Sequence, residues 1–159
     1  MATLVVAPVP PLSATEAEIV AGLDSSFQPV ALEHRRRALA AGFPFTFISG
    51  LRSRAQQAAL ATDPNRETPA AAAGTSKHEV GFAYDIHKVT LTAAQLSGIG
   101  AIAESLGLEW GGRFTPRPDA NHFEAPDQRS TLAAYRYIKV AAGFALIAGG
   151  VWLGIKEGS

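Results

Sequence analysis

The sequence predicts an α+β domain followed by a hydrophobic C-terminal helix. In several segments apolar residues recur at helical spacing, while other short segments are rich in aromatic and β-branched residues and are bounded by glycine. The predicted helices cover residues 14–23, 32–41, 54–61 and 92–106, and the predicted strands cover 43–49, 81–89 and 108–114. A chain of 159 residues is long enough to bury one core without disulfides.

Three regions are predicted along the chain. Residues 1–12 form an extended arm, because three prolines fall within its last five positions. The arm has no basic segment ahead of its apolar residues, so we expect no signal peptide. The folded domain is expected to span residues 13–128, and the hydrophobic helix lies within residues 129–159.

Two of the predicted helices begin with a capping-box pattern, formed by Ser13 with Glu16 and by Thr92 with Gln95. The helix over 32–41 carries a charged run at 33–37, which we interpret as a solvated helix face rather than as a phosphate-binding site. His34 belongs to this run and is therefore left out of the predicted functional site. The balanced charge of 14 basic and 14 acidic residues also argues against a nucleic-acid partner.

Ionisable side chains concentrate in two clusters that suit a metal site. The chain contains no cysteine, so any metal must be held by His, Asp or Glu. His78 and Asp85 lie in the first cluster, on a predicted loop and the strand that follows it, and His122 lies in the second cluster. Two histidines and a carboxylate match the protein ligands of a catalytic zinc site, which leaves one position for water. Taken singly, each histidine is more often a surface or core residue than a ligand.

The neighbours of these residues suggest further roles. Alternation along 81–89 places Ala83, Asp85 and His87 on one face and the apolar residues on the opposite, core-facing side. Asp119 lies three residues before His122, where its carboxylate could accept a proton from a water molecule activated by the metal. Arg52 follows a predicted strand, and its guanidinium group could bind an anionic substrate.

Four segments, in order, resemble the zinc D-Ala-D-Ala carboxypeptidase and L-alanyl-D-glutamate peptidase family, which includes bacteriophage endolysins and vancomycin-resistance dipeptidases. The similar segments are Ser49-Gly50-Leu51-Arg52-Ser53 with Gln57, Ser76-Lys77-His78 with Gly81-Phe82-Ala83-Tyr84-Asp85, Glu109-Trp110-Gly111-Gly112, and Asp119-Ala120-Asn121-His122. Leu51 stands where the family usually has tyrosine. The resemblance covers about residues 32–126.

The resemblance implies a fold and a set of site residues. The fold would be that of the Hedgehog signalling domain and the DD-peptidases, a small antiparallel sheet with flanking helices. Zinc would be held by His78, Asp85 and His122, with Asp119 as the catalytic acid/base that passes a proton to the leaving amine. Arg52 would orient the substrate or stabilise the oxyanion. The predicted substrate-binding residues are Ser76, Trp110 and His87.

The activity implied by the resemblance is zinc-dependent cleavage of peptidoglycan stem peptides. Aspartate at position 119 and the Trp-Gly-Gly segment at 110–112 favour an L-alanyl-D-glutamate endopeptidase of phage or prophage origin, either an endolysin or a virion-associated enzyme. One alternative is a D,D-carboxypeptidase or dipeptidase. Another is a non-catalytic structural component of a phage-like assembly on the same scaffold.

The C-terminal region falls outside the resemblance. Val140 to Ile155 contains no charged residue, and a helix of this length spans ~24 Å, less than the ~30 Å hydrocarbon core of a bilayer. Tyr137 and Ile138, with flanking lysines that snorkel, would complete a marginal membrane helix. The alternative is a helix packed on the domain or against a partner in an assembly. The predicted location is accordingly the host cytoplasm, the inner membrane or the virion, with the cell wall as the site of action.

Overall fold

The computed structural model describes residues 9–65 and 70–126. Within these residues four α-helices flank a four-stranded sheet. The helices are α1 (Ala14–Gly22), α2 (Gln28–Ala40), α3 (Arg54–Ala61) and α4 (Ala93–Ser105), the strands are β1 (Phe47–Ser49), β2 (Ala83–Ile86), β3 (Glu109–Trp110) and β4 (His122–Glu124), and 3-10 turns cover Lys77–Val80 and Gly111–Arg113. The predicted α+β class is confirmed.

The sheet is antiparallel throughout and has the strand order β1-β2-β4-β3. Its central pair, β2 and β4, aligns Asp85 with His122 and Tyr84 with Phe123. β1 joins the other side of β2 and brings Ser49 opposite Asp85. The strands are shorter than the sequence predicted, and β4 was not predicted as a strand at all. β4 has only three residues, two of which are His122 and Glu124, so its sequence has no clear strand pattern. It forms a strand because it pairs with β2.

The helix starts follow the capping chemistry of the sequence. Ser13 and Thr92 each accept a hydrogen bond from the backbone of the residue three positions on, and the predicted capping boxes of α1 and α4 are both present. α2 begins at Gln28, four residues before the predicted start, with a proline in its first turn. Proline is favoured there because the first helical N–H groups have no acceptor within the helix.

The core lies between the sheet and the helices. Tyr84, Ile86 and Phe123 are completely buried, as the alternation along the second strand predicted for Tyr84 and Ile86. Trp110 packs so closely on α4 that a Cβ atom at Gly100 would lie 2.2 Å from the indole ring. The helix can approach the sheet this closely only because glycine occupies the contact.

The predicted solvated face at 33–37 is correct for Arg36 and Arg37 but wrong for His34 and Arg35. Arg36 and Arg37 pair with Glu33 at the surface. His34 is fully buried: one ring nitrogen lies 2.9 Å from the Ile99 carbonyl, and the other lies 2.7 Å from the Tyr84 hydroxyl. Arg35 donates to the carbonyl of Pro10 in the N-terminal arm. The helix turns this part of the polar run toward the core, where hydrogen-bond partners within the protein replace water.

The predicted membrane or assembly helix lies outside the described residues. None of the helices within residues 9–65 and 70–126 combines the length and the apolar character needed to cross a bilayer. Leu12, at the end of the predicted arm, packs against the hydrophobic core.

His34 should make the stability of the fold sensitive to acid. Burial lowers the pKa of His34 to about 4, although the Ile99 carbonyl acts in the opposite direction. An unfolded histidine has a pKa of about 6.5, so the unfolded chain binds more protons as the pH falls below that value, and the stabilisation is lost. We expect the free energy of unfolding to fall by about 2 kcal/mol between about pH 7 and pH 5 on account of this residue.

The measurement is urea unfolding of the wild-type protein and of a His34→Gln variant at both pH values, with EDTA in every sample. Other titrating groups contribute equally to both proteins, so the difference between their pH dependences isolates His34. Equal pH dependence in the two proteins would contradict the assignment.

Candidate metal centre

Three segments bring the predicted metal ligands together. His78 lies in the 3-10 turn that precedes β2, Asp85 lies on β2, and His122 is the first residue of β4. Nε2 of His78 lies 3.3 Å from Nδ1 of His122 and 3.4 Å from Oδ1 of Asp85, and His122 Nδ1 lies 3.0 Å from the same carboxylate oxygen. The predicted ligand set therefore converges on one point.

This spacing fits a tetrahedral metal ion. Zinc bonds of about 2.0–2.2 Å to nitrogen and oxygen place neighbouring ligand atoms roughly 3.3–3.5 Å apart. The three ligand atoms all lie within 4.8 Å of one another, and His78 and Asp85 are buried. Three protein ligands leave a fourth position for water or substrate, as in catalytic zinc sites.

Both histidines are oriented by a hydrogen bond from the nitrogen that faces away from the metal position. Nδ1 of His78 lies 2.6 Å from the carbonyl oxygen of Gly50, and Nε2 of His122 lies 2.8 Å from Oε2 of Glu124. If these nitrogens carry the protons, His78 Nε2 and His122 Nδ1 have free lone pairs that face the metal position. Such partners fix both the tautomer and the ring orientation of metal-binding histidines.

Asp85 is the electrostatic centre of the site. Burial raises the pKa of its carboxyl group, but the interactions with the His122 and His78 rings outweigh burial and hold the pKa well below its usual value. Arg52 donates to Oδ2 of Asp85 and, through Nε, to Ser49 Oγ at 3.0 Å. Asp85 is therefore an anion whose second oxygen is held by Arg52 while its first oxygen faces the metal position.

The His122 ring lies between the carboxylates of Asp85 and Glu124. Burial lowers the pKa of its imidazole, yet hydrogen bonds to Asp85 and Glu124 raise it to about 9. Burial raises the pKa of Glu124, but the hydrogen bonds from His122 and Lys77 lower it to about 2. A cation at the metal position would replace the proton that His122 otherwise shares with Asp85.

Asp119 borders the same cavity, which has a volume of about 650 Å³. Its Oδ1 atom is buried and has no hydrogen-bond partner, while its backbone carbonyl accepts from the His122 N–H group. An unpartnered carboxylate oxygen is costly to bury, so this position suits a group that takes a proton or a hydrogen bond from a bound molecule. The cavity is also lined by Arg52, Gln57, Ser76, Lys77, Lys88, Phe114, Arg117, Asn121 and Glu124.

The predicted substrate-binding residues have three different placements. Ser76 lines the cavity and caps the 3-10 turn, where its hydroxyl group accepts from the His78 N–H group. Trp110 is in the core, donates to the Ala120 carbonyl at 2.9 Å, and is not among the residues that line the cavity. His87 is exposed just beyond the end of β2 and is also not among them. Of the three, only Ser76 is brought to the metal centre.

Sequence reasoning missed the residues that support the ligands. Glu124 was not assigned a role, although it lies two positions after His122 and would share its face in any strand. Lys77 has no predicted role either, yet its Nζ atom lies 2.9 Å from Glu124 Oε1. The carbonyl of Gly50 carries no side-chain signal, so only the three-dimensional structure could reveal its contact with His78.

The candidate metal centre lies within a segment that matches a known family model. The family model described as D-alanyl-D-alanine carboxypeptidase matches residues 70–125, which contain all three metal-ligand candidates and Asp119. A search of curated proteins found no match.

Several solved structures share the fold. The L-Ala D-Glu endopeptidase ChiX of Serratia marcescens is 22% identical, with a TM-score of 0.57, and the alignment covers 81% of this chain and 99% of ChiX. DacB of Streptococcus pneumoniae D39 is 17% identical, with a TM-score of 0.53 and 77% of each chain covered. A mutant of the vancomycin resistance D,D-pentapeptidase VanY, solved in complex with Zn(II), is 17% identical, with a TM-score of 0.53 and coverage of 72% of this chain and 78% of VanY.

Zinc should stabilise the folded chain through these ligands. A ligand that binds only the native state adds RT ln(1 + [L]/Kd), or about 2.7 kcal/mol at a free concentration one hundred times Kd. We expect added zinc to raise the thermal midpoint of the EDTA-treated protein and Asp85→Asn to abolish most of that rise. The measurement is a thermal scan with and without zinc, with Asp63→Asn, an exposed aspartate outside the cavity lining, as the matched control. A rise of equal size in Asp85→Asn would exclude Asp85 as a ligand.

Proposed function

We propose that this chain, a member of the zinc D-Ala-D-Ala carboxypeptidase and L-alanyl-D-glutamate peptidase family, hydrolyses peptide bonds in the stem peptides of peptidoglycan. The observation that carries the proposal is the convergence of His78, Asp85 and His122 beside the buried, unpartnered carboxylate oxygen of Asp119. The metal ligands and the acid/base candidate border one open cavity that could accept a peptide.

The residues of the site have separate tasks in this mechanism. When bound, zinc would supply Lewis-acid chemistry, which polarises a peptide carbonyl and lowers the pKa of a water molecule toward ~7. Asp119 accepts the proton of the attacking water and then donates it to the amine that leaves. Arg52, which already binds Asp85, holds that carboxylate in place, and its remaining N–H groups are candidates for contact with the substrate.

The bond most consistent with the sequence is that between L-alanine and D-glutamate. Support comes from aspartate at position 119, from the Trp-Gly-Gly segment at 110–112 and from the fold shared with ChiX, which is an L-Ala D-Glu endopeptidase. The fold shared with VanY, a D,D-pentapeptidase, supports D,D-carboxypeptidase activity as the second candidate.

A phage or prophage enzyme, either an endolysin or a virion component, is the biological setting that we propose. The apolar segment Val140 to Ile155 would provide the contact with a membrane or with the assembly. A full-length protein that needs detergent, beside a chain ending near Gln128 that does not, would support membrane contact. Equal solubility of the two without detergent would exclude it.

Mass spectrometry of digested muropeptides distinguishes the candidate activities. An endopeptidase would release products that end in L-alanine, whereas a D,D-carboxypeptidase would release only D-alanine. Absence of any cleavage product from zinc-loaded protein would favour the non-catalytic, structural role.

Asp119→Ala should separate metal binding from catalysis. Asp119 is not one of the three metal ligands, so we expect zinc content to stay at the wild-type level. Cleavage of purified peptidoglycan should fall by roughly 10²- to 10⁴-fold, the usual contribution of a general acid/base. The matched control is Glu104→Gln, which removes an exposed carboxylate that pairs with Arg113 on the surface. Unchanged cleavage by Asp119→Ala would reject this assignment.

A further inference from the structure

Glu124 joins the two segments that supply the metal ligands. Its Oε2 atom lies 2.8 Å from Nε2 of His122, and its Oε1 atom lies 2.9 Å from Nζ of Lys77. Lys77 directly precedes His78 in the chain, and Glu124 lies two positions after His122. The carboxylate therefore connects the turn that carries one histidine ligand to the strand that carries the other.

Lys77 is held in this position by further contacts. Its Nζ atom also donates to the carbonyl oxygens of Ala125 and Pro126, the latter at 3.1 Å. The side chains of Lys77 and Glu124 are only 27% and 17% exposed, so the pair is screened less than a surface ion pair. With both oxygens of Glu124 occupied, its carboxylate is directed at His122 and Lys77 rather than at the metal position.

The two histidines are supported by acceptors of different charge. His78 is held by the neutral carbonyl of Gly50, whereas His122 is held by a carboxylate. A carboxylate partner fixes the ring and also raises the basicity of the nitrogen that binds the metal. His122 presents Nδ1 to the metal position while its Nε2 contacts Glu124, so the carboxylate holds the ring from the opposite side.

We propose that the Lys77–Glu124 ion pair is a positioning device that sets the metal affinity of His122. This inference rests on the zinc site of the proposed function. Glu124 acts through His122, and Lys77 acts through Glu124.

The experiment is a competition titration of zinc against a chromophoric chelator, with wild type, Glu124→Gln, Lys77→Met and the double variant. We expect Glu124→Gln to weaken zinc binding by about 10- to 100-fold, the usual cost of removing such a partner. Lys77→Met should also weaken binding, and the double variant should lose no more than Glu124→Gln alone, because Lys77 acts only through Glu124.

Glu109→Gln is the matched control. Glu109 lies on β3 directly opposite Glu124, and its carboxylate is 3.9 Å from the same Lys77 Nζ atom, but the structure gives it no contact with His122. The change removes the same charge beside the same lysine, and we expect the zinc affinity to remain at the wild-type level.

Two further measurements separate positioning from a general loss of structure. The thermal midpoints of the EDTA-treated variants report folding without the metal. The visible absorption spectrum of the cobalt-substituted protein reports ligand geometry, and we expect it to change in Glu124→Gln but not in Glu109→Gln. If Glu124→Gln does not fold, the inference is tested on Lys77→Met instead, by its zinc affinity and by the absorption spectrum of its cobalt-substituted form.

These measurements distinguish a failure of the proposed function from a failure of this inference alone. A wild-type protein that binds no zinc overturns both the proposed function and this inference. A wild-type protein that binds zinc, together with a Glu124→Gln variant of equal affinity and unchanged cobalt spectrum, overturns only the inference. Additive losses in Lys77→Met and Glu124→Gln would show that the two residues act independently, which also overturns it.

Discussion

The antiparallel pairing of β2 with β4 is the constraint on which the site depends. Its register places Asp85 directly opposite His122, so two of the three ligand candidates meet across neighbouring strands. In an antiparallel pair a shift by one residue would move every side chain to the other face of the sheet. The buried partners Tyr84 and Phe123 prevent such a shift, because they occupy the core-facing side of the same two strands. Core packing and metal-site geometry are therefore fixed by one register.

Buried charge is the second organising feature. Asp85 lies in the protein interior, where an unpaired carboxylate would be costly, and its two oxygens are directed to Arg52 and to the histidines. The guanidinium group of Arg52 neutralises part of the negative charge of Asp85, and a bound metal cation would neutralise more of it. A buried carboxyl group whose pKa is held well below its usual value is typical of functional sites.

The elements with strong local signals were predictable. α1, α3 and α4 start at or within a residue of the predicted positions, because capping residues determine helix starts locally. β4 was missed because three residues give too short a pattern, and the strand exists through its pairing with β2 and β3. The burial of His34 was missed because the residues around it in the chain are charged, whereas its hydrogen-bond partners, Tyr84 and Ile99, lie far away in the chain.

The sequence by itself determined the chemistry: a chain without cysteine offers two histidines and an aspartate, at a spacing that resembles one family of zinc peptidases. The tertiary structure alone decided which groups support that chemistry. It placed Trp110 in the core instead of at the cavity, directed Arg52 to Asp85, and gave His122 a carboxylate partner. The physical reason is that residue type fixes what an atom can bind, whereas only the packing of distant segments fixes which partner lies within reach.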